Sequence, residues 1–125
     1  MDLRREEIFN GPVITGFVGR GFRVGEHVFP GGLLIDPTGV TDWNAPADVA
    51  AIDIASLGGL LDLDPPPEFL LLGTGRRLVQ PPRAFVRALE ARGIGVEAMD
   101  SRAAARTWGV LRQEERRVVA ALLPL

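Results

Sequence analysis

Cysteine is absent from this 125-residue chain, so no disulfide framework, thiolate metal site or cysteine nucleophile can be built from it. Lysine is absent as well: all fourteen basic residues are arginine, which excludes Schiff-base chemistry and the lysine of a phosphate-binding P-loop. The single histidine, His27, would carry any imidazole chemistry alone. No apolar run approaches the roughly 20 residues of a membrane-spanning helix, and Met1 to Asn10 is charged where a signal peptide would be apolar. Basic residues are also missing from Val24 to Gly75, a stretch that holds eight acids, whereas Arg76 onward has ten arginines against five acids. The net charge is only −2, so an acidic half is followed by a basic half. Two readings follow: the halves pair across the fold, or they steer a charged protein partner.

What is present suits a folded globule. Hydrophobic residues make up 46% of the chain, punctuated by 15 glycines and 10 prolines, and the length suits one domain over 1–125. Residues 1–12 are expected to be a flexible N-terminal segment. Val13 to Val18, Phe22 to Val24 and His27 to Phe29 read as strands, the last two flanking the turn Gly25-Glu26 in an N-terminal β-hairpin. Leu33 to Ile35 and Val40 to Trp43 flank the turn Asp36-Pro37-Thr38-Gly39. Leu57, Leu60 and Leu61 follow Asp53 or Ser56 at helical spacing and predict a short helix within 53–62. Glu68 to Leu72 is apolar on every side after its first residue, as a strand covered on both faces would be. Pro81-Pro82 opens a helix that Gly93 ends, and Ile94 to Met99 is the next strand, giving a strand–helix–strand crossover. Asp100 or Ser101 caps a second long helix to about Arg112, and Val118 to Leu123 is a last strand. The pattern predicts a three-layer α/β domain on a mixed sheet with two main helices.

Gly73-Thr74-Gly75 followed by Arg76-Arg77 lies where a strand hands over to a helix, a place where backbone N–H groups and cations can cradle an anion. A dinucleotide fingerprint would need glycine where Leu78 stands, and a P-loop would need Gly-Lys-Ser/Thr. The alternative is that the glycines only supply unusual backbone angles for a tight crossing. Arg106 and Thr107, on the second helix, would supply a polar wall if Arg106 reaches that loop, as a lock or as a cleft. His27 has no serine or threonine in a nucleophile setting and is read as a solvent-facing hairpin residue. Asp62 and Asp64 lack a third ligand at metal spacing and read as a solvated helix end, so no metal or cofactor is expected. Glu114-Glu115 interrupts the C-terminal arginines, which argues against nucleic acid and for buried ion pairs with the acidic half.

Phe22-Arg23-Val24 before a turn, Trp43 after a strand, Leu71-Leu72-Gly73-Thr74-Gly75 and Met99-Asp100-Ser101-Arg102-Ala103-Ala104-Ala105-Arg106-Thr107-Trp108 together resemble one widespread domain family. It is the family of the mitochondrial respiratory complex I assembly factor 3 and its uncharacterised bacterial and archaeal relatives. The resemblance runs from about Val13 to Leu123. It implies a three-layer α/β fold, no established enzyme activity or cofactor, and, for the mitochondrial member, work with another assembly factor at the inner membrane. Two positions depart from the family's pattern: Gly109 stands where Asn is common and Ala105 where Cys is frequent. Met1 to Asn10, with three acids and no serine, is unlike a mitochondrial leader and points to a bacterial relative. The expected function is a non-enzymatic interaction module in the cytoplasm, reaching the inner membrane through a protein partner that is an assembly factor or a membrane-complex subunit. The alternative is a small-anion binder or an enzyme using the Gly73 loop. Nothing in the sequence sets an oligomeric state.

Overall fold

The computed structural model describes residues 11–125. Residues 1–10, most of the segment expected to be flexible, lie outside the described residues. Pro12, at that segment's end, accepts a hydrogen bond at 2.9 Å from the indole Nε1 of Trp108.

Among the described residues, eight strands form two sheets. β1 (Gly16–Val18), β2 (Gly21–Val24) and β3 (His27–Phe29) make an antiparallel three-stranded sheet in sequence order. The β2–β3 turn is Gly25-Glu26, and Gly25 sits at φ +60°, in the left-handed region that two-residue hairpin turns require. The five remaining strands are β4 (Leu33–Asp36), β5 (Gly39–Asp42), β6 (Phe69–Gly73), β7 (Gly95–Met99) and β8 (Val118–Leu122), in the spatial order β5-β4-β8-β6-β7. β6 runs parallel to both β7 and β8, while β4 runs antiparallel to β5 and β8, so the sheet is mixed. The β4–β5 turn is held by the Asp36 carboxylate, whose Oδ1 accepts from Thr38 N at 2.7 Å and Gly39 N at 3.0 Å.

The apolar runs of β6 and β8 explain their central places. Leu70, Leu71 and Leu72 of β6 and all five residues of β8 are fully buried, because both faces of the sheet are covered. On one face lie α1 (Arg83–Glu90), with Phe85 and Leu89, and the segment around Trp43, Leu57 and Leu61, over Leu70, Leu72, Val119 and Ala121. On the other lie α2 (Ser101–Gln113), with Ala104 and Trp108, and Phe22 of the small sheet, over Leu71, Ala120 and Leu122. The result is the expected three-layer α/β arrangement with two helices.

Two expectations need correction. The short helix within 53–62 is a single 3₁₀ turn, Ile54–Leu57, and another 3₁₀ turn, Val49–Ala51, lies just before that span. Asp53 caps the Ile54–Leu57 turn by accepting from Ser56 N at 2.9 Å, and Gly58, at φ +58°, ends it before an α-helix can propagate. The expected buried ion pairs are at the surface: Asp62–Arg92 at 3.3 Å and Glu68–Arg116 at 3.1 Å join the acidic half to the basic half with all four side chains substantially exposed. Such pairs hold charge balance more than stability.

Candidate functional site

The loop after β6 is the place where most of the singled-out residues converge. Gly73 ends β6, and its carbonyl accepts from Leu123 N at 2.9 Å. Thr74 N donates to the Met99 carbonyl at 2.9 Å. The Thr74 hydroxyl, almost fully buried, donates to Arg77 O at 2.7 Å and accepts from Val79 N at 3.1 Å, closing the loop on itself. Gly75, at φ +101°, donates its N–H to the Ser101 hydroxyl at 2.9 Å, and its carbonyl accepts from Ser101 N at 2.8 Å. The Ser101 hydroxyl in turn donates to Leu123 O at 2.7 Å.

Ser101 is thus the junction of three segments: the β6 exit, the β8 exit and the start of α2. It is completely buried. Asp100, beside it, caps α2 by accepting from Ala103 N at 2.9 Å, which leaves the Ser101 hydroxyl free for the loop. A side chain at Gly73 could not coexist with this arrangement, since a Cβ there would lie 2.7 Å from Ser101 Oγ and 2.9 Å from Leu122 Cγ. Thr74 and Gly75 N–H groups are therefore spent inside the protein and do not face an anion.

Arg76 and Arg77 are exposed. Arg76 meets two other arginines: a cavity of about 360 Å³ is lined by Arg76, Arg20 from the β1–β2 turn and Arg102 from the first turn of α2. Arg20 Nε donates to Leu125 O at 2.6 Å, and the Arg102 guanidinium lies 5.5 Å from the centre of the Phe17 ring. A second cavity, of about 480 Å³, shares Arg20, Arg76 and Leu125 with it and is also lined by Thr74, Gly75 and Asp48. Arg20 and Arg102 were not read as site residues, because the contact joins positions 56 and 26 residues from Arg76 and no local pattern marks it.

Arg106 is exposed and makes no hydrogen bond to the Gly73 loop among the described residues; the place that it would have taken belongs to Ser101. Thr107 lies elsewhere, donating to Met99 Sδ at 3.4 Å in a groove with Leu111 and Glu97 beside β7. β7 is an edge strand of the larger sheet. Glu68, hydrogen-bonded by Arg116, is held below the ordinary carboxylate pKa, with the Arg117 N–H helping and partial burial opposing. His27 is exposed, and among the described residues no group of three or more His, Asp and Glu is placed to hold a metal.

Fold and loop together define a small three-layer α/β domain whose strand-to-helix loop is latched by a buried serine. Residues 14–123 match the family model described as a protein of unknown function (DUF498/DUF598), and the chain belongs to that family. An uncharacterised protein of Rhodobacter capsulatus is 38% identical over 97% of this chain and 92% of its own length. The NADH dehydrogenase [ubiquinone] 1 alpha subcomplex assembly factor 3 of Danio rerio is 32% identical over 99% of this chain and 71% of its own length. A crystal structure of a Bordetella parapertussis protein superposes with a TM-score of 0.81 at 40% identity, covering 91% of this chain and 96% of that one. A solution structure from Bordetella pertussis, described as an Mth938-like domain, gives 0.77 at 34% identity, over 90% of this chain and 85% of that one.

Proposed function

We propose that this chain is a non-enzymatic protein-interaction module that assists assembly of a respiratory complex I-type membrane complex. The observation that carries the reading is the likeness to assembly factor 3, which extends over 99% of the chain for the Danio rerio protein. The chemistry of the loop supports it: the amides of Thr74 and Gly75 are used internally, which weighs against the alternative of an anion-cradling loop. The exposed cluster of Arg20, Arg76 and Arg102 then acts as a steering patch for an acidic face of the partner. No helix among the described residues is long and apolar enough to cross a membrane. In this reading, contact with the inner membrane is made through that partner, from the cytoplasm.

The test is deletion of the gene in its host, complementation with a tagged chain, and affinity capture followed by mass spectrometry. The expected result is a fall in assembled complex I together with specific recovery of an assembly factor or a membrane-complex subunit. Recovery should fail with the Arg76→Glu, Arg102→Glu variant. Normal complex I in the deletion strain would overturn the assembly role.

A further inference from the structure

Arg112 is the one buried arginine among the described residues, only 4% exposed. No carboxylate forms an ion pair with it among those residues. Its Nη2 donates to the Arg116 carbonyl, its guanidinium carbon lies 5.1 Å from the Trp108 ring centre, and its Nε has no hydrogen-bond partner among the described residues. Burial pulls its pKa below the ordinary arginine value, with Glu115 and Asp36 offsetting part of the effect from a distance. A cation kept in such a place without a paired anion is costly. Its position in the last turn of α2 suits the helix dipole and accounts for the bond to Arg116, but not for the unpaired Nε.

Arg112 is also one of the residues that line a cavity of about 660 Å³, a volume typical of small-molecule sites. Pro12, Val13 and Val24 give this cavity apolar walls, and Thr15 and Gln113 add two polar side chains. Gly109, on α2, opens it: a Cβ built there meets nothing within 4 Å among the described residues. Glycine inside a helix sacrifices helix propensity, and here no close backbone approach requires it.

We propose that this cavity binds a small amphipathic carboxylate, its head group against the Arg112 guanidinium and its hydrocarbon body over Val13 and Val24. The anion supplies a charge that no described residue pairs with Arg112, and its hydrocarbon body covers the apolar wall. The site lies apart from the Gly73 loop and from the Arg20–Arg76–Arg102 patch, and shares no residue with either.

The test is titration of the ¹⁵N-labelled chain with sodium octanoate, followed through the amide resonances of Thr15, Gly25 and Gly109, with acetate and 1-octanol as probes of each half of the ligand. The expected result is saturable binding of octanoate, with acetate and octanol each at least tenfold weaker. Gly109→Met, whose side chain grows into the open space, should weaken octanoate at least tenfold without lowering the unfolding temperature, and Arg112→Met should remove the preference for octanoate over octanol. Absence of saturable shifts with octanoate, equal binding of octanol, or unchanged affinity in Gly109→Met would each overturn the proposal; the last variant decides the matter even if Arg112→Met does not fold.

Discussion

Replacing Ser101 with alanine removes one oxygen and should cost far more than a surface substitution. The hydroxyl accepts from Gly75 N at 2.9 Å and donates to Leu123 O at 2.7 Å, and all three residues are buried, so no water replaces it. Leaving a buried donor or acceptor unpaired costs about 1–3 kcal/mol each. Alanine's better helix propensity returns roughly 0.5 kcal/mol. The expected loss is about 1.5–5.5 kcal/mol, a large part of the ~5–15 kcal/mol that keeps a domain folded. Urea unfolding should therefore show a lowered midpoint with an unchanged slope. Gly73→Ala should cost about 1–3 kcal/mol by overpacking, since its Cβ would meet Ser101 Oγ at 2.7 Å. The double variant is the sharper measurement. Losing the hydroxyl relieves the closest clash, while the contacts with Leu122 Cγ at 2.9 Å and Ser101 Cα at 3.0 Å remain. The two costs should then fall short of additivity by about 0.5 kcal/mol or more, as for residues in contact. A Ser101→Ala loss under about 0.5 kcal/mol, the range of an inconsequential surface change, or strict additivity of the pair, would refute the latch.

Leu71→Ala, in the centre of β6 and fully buried, should cost about 2–5 kcal/mol by opening a cavity under α2, read as a lowered denaturation midpoint. Glu68 has a folded-state pKa below its unfolded value, so its contribution is present above the ordinary carboxylate pKa and disappears as pH falls through the depressed one. The stability gap between the native chain and Glu68→Gln should therefore be present at pH 7 and shrink as pH falls below the ordinary carboxylate range, with denaturation across that range as the measurement. Arg76→Ala with Arg102→Ala should leave the fold intact, because both side chains are exposed, and should slow association with the partner while flattening its salt dependence in stopped-flow or surface-binding kinetics.

The elements of this fold are written locally. β6 and β8 announce themselves as unbroken apolar runs, Pro81-Pro82 and Gly93 bracket α1, and Asp100 stands where the cap of α2 must be. Those signals depend on neighbours within a few residues, which is why they survive in sequence alone. The middle of the chain was less legible, because Leu57, Leu60 and Leu61 have helical spacing while Gly58 imposes a positive φ that stops the turn.

The sequence alone determined what this protein lacks: thiol, lysine amine and a second imidazole are absent whatever the fold, so whole classes of chemistry are closed to it. It also determined that Gly73-Thr74-Gly75 is a special place in the backbone. Only the tertiary structure decided that the partner of this loop is Ser101 and not Arg106, that Arg20 and Arg102 stand with Arg76, and that Arg112 is buried beside an open cavity. Each of these facts joins residues far apart in the chain. Such contacts arise from the order of strands in the sheet and the seating of α2 upon it, which no run of neighbouring residues records.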